Sequence, residues 1–239
     1  SGLRAEFGAA GAILLRKAHA SYPGDGTGEE MMSAPDRANP RTISNIVCAQ
    51  TGPIFSQHWL SDYIWAWGQF LDHDLDLTET HASNGTAPIG MEDPFDILGP
   101  NPIPFSRSNY IISPISQSRD HVNSITAYID ASNVYGSSTL RESALREYQG
   151  GRLKVSAGDL LPFNTAGLDN APTSHDPSLF LAGDIRANEN VVLSSLHTLF
   201  VREHNRLANL IALHDPLATD EQIYQLARKL VGAEMQLIT

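Results

Sequence analysis

A cluster of prolines sets the first limit on what this chain can fold into. Residues 84–114 contain several glycines and six prolines, namely Pro88, Pro94, Pro100, Pro102, Pro104 and Pro114. Proline fixes φ and has no backbone N–H, so this density excludes long helices and central strands. The pattern predicts a long irregular loop on the surface, and regular structure must come from the flanking sequence.

Four flanking stretches carry helical signals instead. Apolar residues recur at helical spacing over residues 54–72 and again over residues 191–213. Capping-box patterns at residues 139–142 (TLRE) and 219–222 (TDEQ) predict the starts of two further helices. Strand-like alternation is scarce, so we expect a mainly α fold with long irregular loops and little β structure.

Length and charge limit the classes of protein to which the chain can belong. With 239 residues, 41% of them hydrophobic, it can bury one substantial core. The formal charge of −11 disfavours partners such as nucleic acid or an anionic membrane. No apolar run approaches the ~20 residues of a membrane span. The single cysteine, Cys48, excludes an internal disulfide, and we expect it to be a buried small hydrophobe.

The segment around His73 has the composition of a chemical site. His73 stands between Asp72 and Asp74 at the end of the aromatic-rich stretch 54–72. Neighbouring side chains on a helix diverge by about 100°, so these three groups must serve three directions. A histidine can take and return a proton near neutral pH, and the carboxylates beside it can bind a cation or a second ligand.

The acidic segment is also compatible with other patterns. A lone Asp-His-Asp is also typical of solvated charges at a helix end. The EF-hand pattern is excluded because its sixth and twelfth positions, which require glycine and glutamate, are Leu77 and Ser83. A zinc hydrolase would need further nitrogen or sulfur ligands at short spacing, which the sequence does not offer.

Four motifs in order along the chain resemble the peroxidase–cyclooxygenase superfamily, the animal-type haem peroxidases. They are WGQFLDHDLD (67–76), SITAYIDASNVYGS (124–137), FLAGDIRANEN (180–190) and HTLFVREHNRLA (197–208). The resemblance covers residues 54–239 and identifies them as the distal half of a haem peroxidase catalytic domain. Residues 1–53 form an N-terminal segment that matches only weakly.

The resemblance implies a distal pair above a haem. His73 is similar to the family's distal histidine, and Arg186 is similar to its distal arginine. His73 would move a proton between the two oxygens of hydrogen peroxide, and Arg186 would stabilise the charge that develops as their bond breaks. Gln69, one helical turn before His73, would reach the same cavity and hold a water or an anionic substrate.

The resemblance also implies how the haem and a calcium ion are held. Asp72 and Glu189 resemble the carboxylates that form ester bonds to the haem, so covalent attachment is expected. Asn190 stands where some members carry a methionine that makes a third link. The expected donors are therefore bromide, iodide, thiocyanate or small organic reductants rather than chloride. The residues that resemble the family's calcium ligands are Asp74, Thr126, Tyr128 (through its carbonyl), Asp130 and Ser132.

The family's proximal histidine has no counterpart among these residues. His197 and His204 lie in a motif that does not carry the iron ligand, so we expect structural roles for both. We expect the proximal histidine either on a second polypeptide made by cleavage or on sequence outside these 239 residues. We also expect a secreted or extracytoplasmic protein, although residues 1–6 do not resemble a signal peptide. Rival hypotheses are a haem-free, calcium-stabilised binding or structural domain with the same fold, and a fatty-acid dioxygenase of the same superfamily.

Overall fold

The computed structural model describes residues 8–18, 38–80, 87–114, 117–171 and 175–239. The described residues within Gly11–Leu60 and Leu77–Ser124 form one compact unit. Those within Gly8–Ala10, Ser61–Asp76 and Ile125–Thr239 form the other. The predicted division into residues 1–53 and 54–239 is based on family resemblance, whereas these two units are defined by contacts in space. The predicted division therefore stays a prediction.

The first unit contains little regular structure. Helix α1 (Pro40–Cys48) begins with a proline, and its N-cap Asn39 accepts a hydrogen bond from the Arg41 backbone N–H at 2.8 Å. Strands β1 (Ile111–Ile112) and β2 (Arg119–Asp120) pair antiparallel. The described part of the proline-rich stretch before β1 contains isolated bridges and turns, in agreement with the predicted loop. Cys48 is exposed, so the expectation of a buried thiol was wrong; α1 buries none of its residues.

The second unit is built from five helices within the described residues. They are α2 (Tyr63–Leu75), α3 (Ser132–Tyr135), α4 (Thr139–Leu145), α5 (Val191–His214) and α6 (Asp220–Ile238). Helices α5 and α6 pack along each other, and α2 and α3 both pack on α5. The core between them includes Phe70, Val134, Tyr135, Leu193, Phe200, Tyr224 and Val231. The mainly α fold predicted from the sequence is confirmed.

Two helix starts differ from their predictions. Helix α2 begins at Tyr63 rather than near residue 54, because Trp59 has φ of 56°, a left-handed conformation that a right-handed helix cannot contain. Helix α4 is capped by Ser138 rather than Thr139, since Ser138 is extended and its Oγ accepts from the Arg141 N–H. The predicted capping box of α6 is confirmed, with Thr219 and Gln222 bonding each other's backbone.

Within the described residues, no helix combines the length and the apolar character that crossing a bilayer requires.

Candidate functional site

His73 lies near the end of α2 and is buried, with 3% of its surface exposed. Its Nδ1 atom is 3.6 Å from Oδ1 of Asp184 and has no hydrogen-bond partner among the described residues. Burial, and then the charge of Arg186, lower the pKa of His73 below its ordinary value of 6.5. The imidazole is therefore neutral at pH 7 and can accept a proton.

Arg186 is tied to Asp184, two residues earlier in the chain. Its backbone N–H and Nε donate to Oδ1 of Asp184 at 2.8 and 2.9 Å, and its Nη2 donates to Oδ2 at 2.9 Å. The same Nη2 also donates to the backbone carbonyl of Asp76, just after α2, at 2.9 Å. These bonds hold the arginine at the end of α2, from a part of the sequence more than a hundred residues away, and its charge acts on His73. The catalytic role predicted for Arg186 stays a prediction.

Asp184 is the member of this group that sequence reasoning missed. Burial alone would raise the pKa of its carboxyl, but the hydrogen bonds and charge of Arg186 hold it below the ordinary value. The Asp184 backbone N–H donates to the Asn133 carbonyl at 2.9 Å, which fixes the loop that carries both residues. The one available signal was a carboxylate two residues before the arginine in the motif at 180–190.

Gln69 joins α2 to the segment before α5. Its Nε2 donates to Oε2 of Glu189 at 2.9 Å, and its Oε1 accepts from Nδ2 of Asn190 at 2.9 Å. Asp72 is exposed and lies three residues after Gln69, so these two side chains are neighbours on the helix surface. Partial removal of the Asp72 carboxyl from water, and then the negative charge of the neighbouring Asp76, raise the pKa of Asp72. Gln69 thus lies between the two carboxylates predicted to hold the haem.

The predicted calcium ligands converge on Asp74. Ser132 Oγ donates to Asp74 Oδ1 at 2.7 Å, and the backbone N–H groups of Asp130 and Ala131 donate to Oδ2 at 3.0 and 2.9 Å. Thr126 Oγ1 donates to Oδ2 of Asp130 at 2.8 Å. The Tyr128 carbonyl accepts from the Asp130 N–H at 2.9 Å, so all five predicted ligands belong to one cluster.

The chemistry of these donor sets fits the groups that they were predicted to hold. The cluster around Asp74 is all oxygen, and burial followed by the charge of Asp130 raises the pKa of Asp74, a repulsion that a hard cation would relieve. With only two carboxylates it is not a carboxylate-rich site, and the described residues contain no group of three or more His, Cys, Asp or Glu placed to hold a metal. Asp72 and Glu189 are both exposed residues near Gln69, so their carboxylates remain accessible to a bound cofactor.

The two histidines of α5 are both buried in the core. His204 is bonded at both ring nitrogens, to the Tyr135 hydroxyl and the Gly151 carbonyl, each at 2.8 Å, which confirms a structural role. His197 packs edge-on against Phe70 at 4.9 Å, and neither of its nitrogens has a partner among the described residues. Burial lowers the pKa of each to about 4.

Comparisons with known proteins identify the family of the chain. The family model for animal haem peroxidases matches residues 3–239, which include the N-terminal segment. The human probable oxidoreductase PXDNL is 35% identical over 236 residues, covering 84% of this chain and 16% of the relative.

Solved structures show the same similarity. Peroxidase A of Dictyostelium discoideum superposes with a TM-score of 0.81 at 28% identity, covering 97% of this chain and 48% of that one. A fatty acid alpha-dioxygenase of Oryza sativa superposes with a TM-score of 0.58 at 27% identity, covering 72% of this chain and 26% of that one. The chain thus spans less than half the length of the proteins it matches. By its family match, this chain belongs to the animal haem peroxidases.

Proposed function

We propose that these residues form the distal half of a haem peroxidase site, in which His73 and Arg186 cleave hydrogen peroxide. The observation that carries the proposal is the hydrogen-bonded group of Asp184 and Arg186 beside the buried, neutral His73. Proton transfer and charge stabilisation are the two tasks that O–O cleavage requires of a protein, and these side chains supply one each.

The chain's own residues divide the work as follows. Neutral His73 accepts a proton from one peroxide oxygen and returns it to the other, which then leaves as water. Arg186 stays charged throughout and stabilises the negative charge on the departing oxygen. Haem, when bound, supplies the iron and the redox equivalents. Asp72 and Glu189 would hold it by ester bonds.

The oxidised donor is a halide other than chloride, thiocyanate or a small organic reductant. Gln69 lies one helical turn from His73, and it would hold a water or a small anion near that histidine. Asn190 cannot form the third haem link that a methionine gives in some family members, and chloride oxidation is for this reason not expected.

Calcium binding is the second part of the proposal. Asp74, Thr126, Asp130 and Ser132, with the Tyr128 carbonyl, provide oxygen ligands next to the catalytic histidine in sequence. Because Asp74 follows His73 directly on α2, a cation bound there would restrict the movement of the imidazole.

Two further features complete the proposed enzyme. The proximal iron ligand is a histidine outside these 239 residues, on a second polypeptide or on further sequence of the same chain, and the protein works outside the cytoplasm. The short coverage of the peroxidase relatives supports a larger whole. Mass spectrometry of the denatured natural protein should show two chains; a single chain that carries the proximal histidine would contradict the second polypeptide.

The central test is peroxide-dependent oxidation of thiocyanate by the haem-loaded protein. We expect His73→Gln to lower kcat/KM for peroxide by at least about a hundredfold, in the usual range for a lost general acid–base. His214→Gln, on an exposed histidine at the end of α5, is the matched control and should keep full activity. Equal activity of the two variants would remove His73 from the mechanism.

The same preparation separates the rival functions. The haem-free domain predicts no Soret band, while the peroxidase predicts one that stays with the polypeptide after denaturation. Because the rice fatty acid alpha-dioxygenase is a structural neighbour, oxygen uptake with a long-chain fatty acid is the third assay. Fatty-acid turnover without peroxide-dependent thiocyanate oxidation would favour the dioxygenase.

A further inference from the structure

A chain of three hydrogen bonds links the start of α5 to Glu189. The backbone N–H of Leu193 donates to Oδ1 of Asn190 at 2.8 Å. Nδ2 of Asn190 donates to Oε1 of Gln69 at 2.9 Å, and Nε2 of Gln69 donates to Oε2 of Glu189 at 2.9 Å. Both ends of this chain have a fixed polarity, because a backbone N–H only donates and a carboxylate only accepts.

The fixed ends decide how both amides are oriented. Asn190 must turn its oxygen toward the Leu193 N–H, so its NH2 group faces Gln69. Gln69 must therefore turn its own oxygen toward Asn190 and its NH2 group toward Glu189. Reversing either amide would place two acceptors or two donors against each other, which forfeits a hydrogen bond.

We propose that Asn190 is a positioning residue that, through Gln69, holds Oε2 of Glu189 and leaves its Oε1 for bonding to the haem. The inference rests on the proposed function, since it concerns the covalent attachment of that haem. Asn190 is thus more than the N-cap of α5. The NH2 group of the Asn190 side chain sets the orientation of Gln69 on α2, 121 residues away in sequence.

Attachment of the haem at Glu189 is a two-electron oxidation that consumes one molecule of hydrogen peroxide. A C–H bond of a haem methyl group breaks and a C–O bond to Oε1 of Glu189 forms, which removes two electrons from the methyl carbon. Hydrogen peroxide takes up these two electrons, the hydrogen released from the methyl as a proton, and one further proton, giving two waters. A carboxylate already oriented by Gln69 lowers the entropy cost of bringing its free oxygen to the methyl carbon.

Two substitutions separate this role from simple capping. Asn190→Ser keeps an N-cap acceptor but removes the donor to Gln69. Asn190→Asp also keeps the cap, but it presents an acceptor to Gln69 and draws the Gln69 NH2 group away from Glu189. Asn, Asp and Ser are about equal as N-caps, so a purely structural role predicts that all three proteins behave alike.

The experiment adds peroxide to the haem-loaded whole protein and measures ester formation at each carboxylate by mass spectrometry of haem peptides. At Glu189 we expect the rate to fall about threefold in Asn190→Ser and at least tenfold in Asn190→Asp, in line with a lost and a reversed hydrogen bond. Attachment at Asp72 is the internal control and should change less than twofold. In a Gln69→Met background, the two Asn190 substitutions should have no further effect.

The outcomes distinguish the inference from the function on which it rests. Normal attachment at Asp72 with equal rates at Glu189 in all three proteins would overturn the positioning role and leave the peroxidase intact. Absence of attachment at both carboxylates in the unsubstituted chain would instead contradict the proposed ester links. A Gln69 side-chain amide that exchanges with deuterium equally fast in all three proteins would also overturn the positioning role, without any need for haem.

Discussion

Asp184 binds both guanidinium edge nitrogens Nε and Nη2 of Arg186, and it does so with both of its carboxylate oxygens. The Asp184 side chain is almost fully buried, and 13% of the Arg186 side chain is exposed, so the pair is largely removed from water. A buried pair of this kind fixes geometry more than it adds stability, and removing one partner leaves the other charge uncompensated. The Asp184 carboxylate also lies 3.6 Å from Nδ1 of His73, so one residue is close to both proposed catalytic groups.

We expect Asp184→Asn to damage catalysis and stability together. The asparagine oxygen can accept from Arg186 on one side only, and its NH2 group opposes a guanidinium donor. Leaving the arginine without its charge partner should cost about 3 kcal/mol of unfolding free energy. Misplacement of the guanidinium should lower kcat/KM for peroxide by roughly tenfold to a hundredfold. Stopped-flow mixing with peroxide and urea unfolding measure the two effects.

Asp159→Asn is the control for that substitution. Asp159 is exposed and lies in the same unit. Its substitution should change kcat/KM for peroxide by less than about twofold and the unfolding free energy by only about a few tenths of a kcal/mol, as is usual at surface positions. If Asp184→Asn matched this control in peroxide reactivity, the geometry of Arg186 would not depend on Asp184.

Calcium should stabilise the chain through Asp74. Four donors surround the Asp74 carboxylate, and an Asn there would turn one acceptor into an NH2 group facing them. We expect Asp74→Asn to lose about 1–3 kcal/mol without calcium, from buried groups left unsatisfied. The calcium-dependent rise in Tm, clear in the unsubstituted chain, should vanish in the variant.

Asp62→Asn, at the exposed start of α2 where the side chain makes no capping bond, is the matched control and should keep the full calcium response. Chelation of calcium should also shift the Soret band of the haem-loaded protein, since α2 carries both Asp74 and His73. A Tm that rises equally with calcium in Asp74→Asn would place the ion elsewhere.

Stability should fall as the pH drops from neutral. His197 and His204 have folded-state pKa values of about 4, lowered by burial, against about 6.5 in the unfolded chain. Between these values the unfolded state binds more protons, so the free energy of unfolding decreases with falling pH. Each histidine should cost roughly 2 kcal/mol between pH 7.5 and pH 5.

Urea unfolding at pH 7.5, 6 and 5 measures this loss. His204→Gln should reduce the pH dependence by about the share of one histidine, whereas His214→Gln, on an exposed histidine, should leave it unchanged. A flat profile over this range would show that neither buried histidine is disfavoured in its charged form.

The sequence predicts what depends on local pattern and leaves out what depends on distant contacts. Helices α5 and α6 follow from apolar spacing and from the Thr219 capping box, since both signals lie within a few residues. The start of α2 cannot be read from the sequence in this way. The apolar spacing extends back to residue 54, but the left-handed backbone at Trp59 prevents the helix from extending that far.

The candidate site shows the same division. Motif resemblance pairs His73 with Arg186 and collects the ligands around Asp74, because each motif carries its own residues. Asp184 and Asn190 were not assigned these roles, since their significance lies in hydrogen bonds to Arg186 and Gln69 whose direction only the folded chain defines. Cys48 was expected to be buried because free cysteines usually are, but it lies in α1, a helix that buries none of its residues.

The last prediction concerns Gly183, directly before Asp184. A Cβ at this position would lie 2.5 Å from the Asn133 carbonyl oxygen and from the Val134 carbonyl carbon, and 2.6 Å from the Gly136 nitrogen. These are backbone atoms of α3 and its end, which cannot turn aside as a side chain can. Gly183→Ala should therefore destabilise the chain by about 3 kcal/mol, the upper part of the usual range for overpacking.

The same clash should displace Asp184, whose N–H donates to the Asn133 carbonyl, and thereby reduce peroxide reactivity through Arg186. Gly68→Ala is the matched control, because Gly68 is an exposed position in α2 where a Cβ meets nothing within 4 Å. That change should stabilise the helix by about 0.5–1 kcal/mol. If both alanines gave the same unfolding free energy, the close approach of the Asp184 loop to α3 would be wrong, and with it the fixed position of the carboxylate on which the distal pair depends.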